Sequence, residues 1–170
     1  IILITILISY FFFIEHNQDY KFIIYSIIIN TLVGTFDDLK IVRDPLKRFF
    51  ILFFLNIFLI IFFEIRINNY DFPILDYLNN FKYLSILLTY FCIFFVINGS
   101  NLIDGFNGLL SLHSIIIIGL IYFILNQNNV EDYNTFIYII FFSIIFFLTI
   151  NFPTAYTFLG DGGAYLIGSL

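Results

Sequence analysis

With 170 residues, of which 61% are hydrophobic and 22% aromatic, the chain is far more apolar than soluble globular proteins are. Charged residues make up only 11% of it, its net charge is −5 and it has no basic stripe, which argues against nucleic-acid binding. The mean hydropathy of +1.01 and the apolar runs without strict alternation predict an all-α, polytopic transmembrane helical bundle and favour it over a membrane β-barrel.

Apolar runs separated by short polar breaks predict about six membrane spans and the start of another. A helix needs about 20 residues to cross the hydrocarbon core, and most of the runs approach this length. The predicted spans are residues 1–14, 20–36, 49–63, 83–97, 109–125 and 135–150. Because the sequence begins inside one apolar run and stops as another starts, we expect it to be a fragment of a single membrane domain, truncated at both ends.

The loop between the second and third predicted spans is basic and contains a proline. It holds four of the seven Lys and Arg residues of the chain, which are Lys40, Arg43, Lys47 and Arg48. By the positive-inside rule this loop is cytoplasmic. Counting spans from it places three polar clusters on the same face of the membrane, at residues 37–40, 98–107 and 160–163.

The first cluster contains two adjacent carboxylates, Asp37 and Asp38, at the end of the second predicted span. Their mutual repulsion raises the cost of ionising both unless a divalent metal or Lys40 lies nearby. Mg²⁺ prefers oxygen ligands from one or two carboxylates together with substrate phosphates, so this pair is typical of phosphate chemistry. A solvated helix cap is the alternative interpretation.

The second cluster, residues 98–110, is a polar stretch between two strongly apolar runs, with three Asn, one Asp and three Gly. Amide and carboxylate groups bind a sugar, a ribose or a base through directional hydrogen bonds. Glycines let the backbone come close to such a ligand. The alternative is a capping loop without a ligand, in which Asn101 or Asp104 caps a helix.

The third cluster, Gly-Asp-Gly-Gly-Ala at residues 160–164, precedes another apolar run. This arrangement predicts a tight loop that leads into a helix N-terminus, where a phosphate or a metal–phosphate complex can bind. Asp161 would hold the metal, or alternatively would only cap the helix. The sequence has no Cys/His zinc pattern. It also has no Walker-type loop, which argues against hydrolysis of nucleoside triphosphates.

Taken in this order, the three clusters resemble the motifs of the polyprenyl-phosphate N-acetylhexosamine-1-phosphate transferase family, glycosyltransferase family 4. The segments that carry the resemblance are Asp37-Asp38-Leu39-Lys40 with Pro45–Arg48, Asn98-x-x-Asn101-Leu-x-Asp104-Gly-x-x-Gly108-Leu, and Phe158–Ala164. Asn107 stands where many members have a second Asp, including the phospho-MurNAc-pentapeptide translocase branch. The chain therefore resembles the undecaprenyl-phosphate GlcNAc-1-phosphate transferase branch more closely.

Members of this family transfer a sugar 1-phosphate from a UDP-sugar to a polyprenyl phosphate, release UMP and require Mg²⁺. The resemblance thus implies a Mg²⁺-dependent transferase, with Mn²⁺ as an alternative metal and undecaprenyl phosphate as the lipid acceptor. It also implies a multi-pass protein of the bacterial inner membrane, with its active site on the cytoplasmic face, that starts cell-wall or surface-polysaccharide synthesis such as that of O-antigen. A homodimer is compatible with it. Residues 1–170 would form part of a single membrane transferase domain.

The resemblance also implies roles for individual residues. Asp37 and Asp38 would be catalytic, beside the diphosphate and the lipid phosphate, where one of them deprotonates or positions the attacking phosphate. Asp161 would be a metal ligand, with Asn101 as the second candidate ligand. The substrate-binding residues would be Lys40, Asn98, Asp104 and Asn107. The sequence determines neither the donor sugar nor whether transfer is direct or proceeds in two steps.

Two other classes of function remain as alternatives. A secondary transporter or channel would use the same acidic side chains to line an ion or proton path. Transport sites tend to lie near the bilayer midplane within broken helices, whereas the acidic clusters here map to loops or span ends on one face. The second alternative, a catalytically inactive scaffold, is disfavoured because all the candidate acids are present.

Overall fold

The computed structural model describes residues 2–13, 18–42, 44–130, 132–153 and 156–170. In these residues the chain forms eight α-helices and no β-strand, which confirms the predicted all-α class. The helices are α1 (Ile2–Phe13), α2 (Gln18–Asp38), α3 (Pro45–Phe63), α4 (Pro73–Asn79), α5 (Lys82–Ile103), α6 (Leu109–Gln127), α7 (Asn134–Asn151) and α8 (Gly160–Gly168). Arg43, one of the basic residues of the predicted cytoplasmic loop, lies outside the described residues.

Four helices in the described part of the chain are long and apolar enough to cross a membrane. They are α3, α5, α6 and α7, with 19, 22, 19 and 18 residues. These four helices confirm the prediction of a polytopic membrane protein. Helix α1 has only 12 residues, and α2 has 21 residues with charged side chains near both of its ends. Membrane crossing by α1 and α2 therefore stays a prediction.

Helix α3 begins four residues before the predicted start of the third span. The Asp44 side chain accepts a hydrogen bond from the Leu46 N–H at 3.0 Å, and Pro45 occupies the first turn. An Asp at the N-cap followed by proline is a strong helix start, which the apolar pattern alone does not show. The earlier start places Arg48 on the helix rather than in a loop.

Two further boundaries differ from the prediction. Helix α5 continues to Ile103, beyond the predicted end at Ile97, so the first residues of the 98–110 stretch are helical. Asn98 fits in the helix because its side-chain amide donates a hydrogen bond to the Phe94 carbonyl at 2.8 Å. The predicted loop from 64 to 82 contains the short helix α4, which starts at Pro73.

The helices form two compact units. The first unit comprises residues 1–16 and 100–159 and contains α1, α6 and α7. Helix α7 packs against both α1 and α6, and its face with Ile137, Ile140 and Ile144 is buried. Thr5 of α1 and Ser143 of α7 share a hydrogen bond of 2.9 Å between their hydroxyl oxygens. Such interhelical bonds contribute on average about 0.6 kcal/mol in membrane proteins.

The second unit comprises residues 17–99 and 160–170, and in it α2 packs against both α3 and α8. Its core is formed by buried residues of α2, α3, α5 and α8, which are Val33, Leu52, Ile60, Tyr90, Phe94, Ile97 and Tyr165. Aromatic rings connect α3 to α5, with centroids 4.9 Å apart for Phe53 and Tyr90. This unit contains all the acidic residues of the first and third sequence clusters.

Helices α2 and α8 approach each other so closely that only glycine fits at the contact. A Cβ atom on Gly34 would lie 2.5 Å from the Gly162 Cα and 2.6 Å from the Asp161 carbonyl carbon. Both neighbours are backbone atoms, which cannot move aside as a flexible side chain could. Small residues bring helix backbones together in this way in membrane proteins, and here they bring the start of α8 to the last turns of α2.

Candidate active site

The carboxylate of Asp38 caps α8 from the end of α2. Its Oδ1 accepts the Asp161 N–H at 2.9 Å and its Oδ2 accepts the Gly162 N–H at 3.0 Å. The first N–H groups of a helix have no partner within the helix, and a negative charge at that end is favoured by the helix dipole. Asp38 therefore fixes the first turn of α8, which carries Asp161, against the last turn of α2.

A single guanidinium joins the other two carboxylates. Arg48, in the first turn of α3, donates from Nη1 to Asp37 Oδ2 and, at 2.7 Å, to Asp161 Oδ2. The side chains are partly buried, with 23% of Arg48, 18% of Asp37 and 33% of Asp161 exposed. Charge-assisted hydrogen bonds of this kind are stronger than neutral ones, and burial reduces their screening by water. Arg48 thus holds together the ends of three helices.

Close contact between the two carboxyl groups affects their protonation. Hydrogen bonding with the Asp161 carboxyl raises the pKa of Asp37 above its ordinary value, burial raises it further, and the charge of Arg48 opposes the rise. Two carboxylates that face each other cannot both ionise freely unless a cation compensates them. In this structure the Arg48 guanidinium, which contacts both carboxylates, supplies that positive charge.

Asp37 and Asp161 supply two of the oxygen donors that a Mg²⁺ ion sharing its coordination with a substrate would need. In the described residues no group of three or more His, Cys, Asp or Glu side chains is arranged to hold a metal ion by itself. The carboxylates of Asp37 and Asp161 do meet at one point, through Arg48. Mg²⁺ is commonly bound by one or two carboxylates together with substrate phosphates and water, which is the donor set available here.

The predicted substrate-binding residues occupy several places in the fold. Lys40 lies exposed in the turn after α2, in the left-handed conformation with φ of 59°, and its N–H donates to the Asp37 carbonyl at 2.7 Å. Asn98 lies on α5 in the second unit, as described above. The remaining predicted residues belong to the first unit, where Asn101 lies on α5 and Asp104 and Asn107 lie in the turn before α6.

The end of the 98–110 stretch is held by a residue that sequence reasoning missed. Asn151, the last residue of α7, accepts a hydrogen bond from the Gly108 N–H at 2.5 Å and donates to the Thr157 carbonyl at 2.6 Å. Gly108 has φ of 76°, and a Cβ atom there would lie 3.1 Å from both Leu148 and Phe152. The sequence did contain a signal for this role, because Asn151 is a polar residue at the end of an apolar run, two residues before Pro153.

Arg48 was identified from the sequence only as part of a basic stretch. Its specific role depends on two features that a charge count does not show. Helix α3 starts early enough to include Arg48, and α8 brings Asp161 next to it. By contrast, Asp37, Asp38 and Asp161, which were singled out in two clusters more than 120 residues apart, lie together in the second unit. Their predicted catalytic and metal-binding roles stay predictions.

These features define a polytopic helical membrane protein with an arginine-linked carboxylate cluster at the ends of three helices. The sequence model of one protein family, described as glycosyl transferase family 4, matches residues 20–170. The chain belongs to glycosyl transferase family 4 and is a transferase by that membership. A search of curated proteins found no match for the sequence.

Proposed function

We propose that the chain transfers a sugar 1-phosphate, from a UDP-N-acetylhexosamine, to a polyprenyl phosphate and releases UMP. The proposal rests mainly on one observation: the Arg48 guanidinium donates hydrogen bonds to the carboxylates of both Asp37 and Asp161. A carboxylate pair with a cation between them is suited to a reaction in which phosphates must be bound, aligned and charge-compensated. The family membership supports a transferase, and the resemblance of the three motifs supports this donor and acceptor.

The proposed reaction joins two phosphates. An oxygen of the lipid phosphate attacks the β-phosphorus of the UDP-sugar, and the bond from that phosphorus to the bridging oxygen of UMP breaks. The products are a polyprenyl diphosphate sugar and UMP, which leaves with the electron pair of the broken bond. Because several negative charges come together, alignment and electrostatic stabilisation supply most of the catalysis. Arg48 and Lys40 supply positive charge beside the end of α2.

Asp37 is the residue to which we assign contact with the attacking phosphate. It takes a proton from that phosphate when the phosphate enters protonated, and otherwise orients it. A general base is most effective when its pKa approaches the working pH, and the contact with Asp161 raises the pKa of Asp37 in that direction. Asp38 contributes differently, because both of its carboxylate oxygens bond to the backbone of α8 and so position Asp161.

We further propose Mg²⁺ as the cofactor, which Asp161 would hold together with substrate phosphates. When bound, the metal neutralises charge on the diphosphate and on the leaving UMP. Mn²⁺ is the alternative metal, and Asn101 stays the second candidate ligand. Asn98, Asp104 and Asn107 are the proposed nucleotide-binding residues of the second motif.

The proposed setting is the bacterial inner membrane, with the site on the cytoplasmic face and undecaprenyl phosphate as the acceptor. The basic turn after α2 supports this orientation by the positive-inside rule. Asn107, in place of a second Asp, supports the GlcNAc 1-phosphate branch of the family over the phospho-MurNAc-pentapeptide branch. The reaction would be the first membrane step of cell-wall or surface-polysaccharide assembly.

A panel of sugar-labelled UDP-sugars tests this function. The full-length protein in membranes is given each donor with undecaprenyl phosphate, with Mg²⁺ and after chelation. We expect label in the lipid fraction for at least one UDP-N-acetylhexosamine, only when the metal is present. No lipid product with any donor, in protein shown by thermal unfolding to be folded, would contradict the proposal.

A further inference from the structure

A reciprocal pair of buried asparagines joins α2 to α3. Asn30 Nδ2 donates to Asn56 Oδ1 at 3.1 Å, and Asn56 Nδ2 donates to Asn30 Oδ1 at 2.8 Å. Each amide also donates to a carbonyl of its own helix at 2.9 Å, Asn30 to Ser26 and Asn56 to Leu52. The two residues are 0% and 2% exposed. Both amide groups are thus fully engaged in the interior of the unit.

This pairing is compatible with only one register of the two helices. The adjacent residues Ile29, Leu55 and Ile57 are apolar. The fourth neighbour, Thr31, is buried, and its hydroxyl already donates to the Ile27 carbonyl at 2.6 Å. None of the four carries an amide that could replace a lost partner. A shift of one residue along a helix rotates its side chains by about 100°. Such a shift would break both bonds between the helices and take from each buried amide oxygen its donor across the interface, which is costly away from water. Single buried polar residues select register in coiled coils for the same reason.

The same register brings the charged residues of the site together. Asn30 lies two helical turns before Asp37, and Asn56 lies slightly more than two turns after Arg48, so the amide pair is about 10 to 12 Å from the ion pair along both helices. Seven residues return an α-helix to within about 20° of the same face. The rotation of α2 that points Asn30 at α3 therefore also points Asp37 at α3, where Arg48 contacts it.

We propose that Asn30 and Asn56 are positioning residues for the active site. Their pairing sets the register of α2 on α3 at which the Arg48 guanidinium reaches both Asp37 and Asp161. Loss of the pair displaces Arg48 relative to the two carboxylates while every charged group remains in the chain. The effect on catalysis rests on the proposed function, whereas the effect on the ion pairs does not.

Thermal unfolding of the full chain in one detergent tests the register without any activity. Arg48→Gln lowers the Tm of the otherwise unchanged chain because it removes the bonds to Asp37 and Asp161. In the Asn30→Leu/Asn56→Leu background, which keeps apolar packing but has no amide pair, we expect a markedly smaller Tm loss from Arg48→Gln. Sites about 10 Å apart that do not cooperate have additive effects. An undiminished Tm loss would overturn the proposal.

Two further chains make this result decisive. Asn30→Ser/Asn56→Ser is the second background in case the leucine variant does not fold, because each serine bonds to its own helix and is too short to pair across the interface. Thr5→Val/Ser143→Ala is the matched control, since it removes an interhelical polar bond from the first unit. In the control background the Tm loss from Arg48→Gln must remain at its original size.

A kinetic measurement separates positioning from general destabilisation. In the full-length protein we expect Asn30→Leu/Asn56→Leu to lower kcat about 100-fold, the size expected for a displacement of about 1 Å in a reacting group, with a much smaller change in KM for the UDP-sugar. An unchanged kcat would overturn the proposal. If the unmodified full-length protein transfers no sugar phosphate, the proposed function fails, and the Tm measurements still decide whether the amide pair positions Arg48.

Discussion

Arg48 donates to Asp161 at 2.7 Å and so joins the start of α3 to the start of α8, across 113 residues of sequence. The same Nη1 atom bonds to Asp37 at the end of α2. One guanidinium is therefore shared by two carboxylates, whose mutual repulsion it offsets. The charge balance of the site depends on this residue, and its replacement has separable effects on stability, metal binding and activity.

Replacing Arg48 should make the chain more dependent on a divalent cation. Arg48→Gln leaves Asp37 and Asp161 facing each other without a cation, so the Tm without metal falls and Mg²⁺ raises it by more than in the unmodified chain. Arg48→Lys keeps the charge but not the planar donor group, and its effects should be intermediate. Transfer activity should fall by about 100-fold or more in Arg48→Gln. Equal Mg²⁺-induced Tm shifts in the unmodified and Arg48→Gln chains would contradict this assignment.

Gly34→Ala should destabilise the contact of α2 with α8. The added methyl would lie within 2.6 Å of backbone atoms of Asp161 and Gly162, so the helices must separate. The expected loss is about 1 to 3 kcal/mol, or more, as for other overpacked interiors. Gly119→Ala in α6 is the control, because nothing lies within 4 Å of its Cβ position and helix propensity favours alanine. Equal stability of the two variants in thermal unfolding would argue against the contact.

Asp38 variants should separate helix capping from charge. Asp38→Asn retains one acceptor oxygen for α8 and Asp38→Ala retains none, so the loss of stability should be larger for alanine, about 0.5 to 2 kcal/mol as for other caps. Activity should fall in the same order because α8 carries Asp161. Asp44→Ala removes the cap of α3 and should cost similar stability with a smaller loss of activity. Full activity of Asp38→Ala would exclude a positioning role for Asp38.

The helical membrane architecture could be predicted from the sequence because apolar runs of span length have few alternatives in a lipid environment. The boundaries could not be predicted as well. Hydropathy reports where side chains avoid water, whereas helix ends depend on local hydrogen bonds such as the Asp44 cap and the bond from Asn98 to the Phe94 carbonyl. The Asp44 cap accounts for the start of α3 at Pro45, and the Asn98 bond lets α5 continue past Ile97 towards its end at Ile103.

The candidate site was partly predictable for a different physical reason. Asp37, Asp38 and Asp161 stand out because carboxylates next to apolar runs are costly without a partner. Their partners do not stand out. Arg48 is one of several basic residues in its stretch, and Asn30 and Asn56 sit singly in apolar runs, so their meeting depends on the packing of α2 against α3. The need for glycine at position 34 is likewise visible only in the structure, where the backbone of α8 lies against it.

Asp161→Asn should remove most of the metal dependence of the chain. The substitution keeps the size of the side chain but removes the negative charge that a metal ligand and the partner of Arg48 both require. We expect turnover to be abolished and the Mg²⁺-induced Tm shift to be reduced. Measurement of both quantities over a Mg²⁺ titration provides the check. An unaffected variant would remove Asp161 from the metal site.

The position of the β-phosphate in the products tests the central claim most directly. Full-length protein in membranes is given undecaprenyl phosphate, Mg²⁺ and a UDP-sugar labelled separately in the sugar and in the β-phosphate. Transfer of a sugar 1-phosphate predicts both labels in the lipid in equal amounts, with one UMP released per lipid product. Sugar label in the lipid with the β-phosphate label in released UDP would contradict the account, as would the absence of both labels from the lipid.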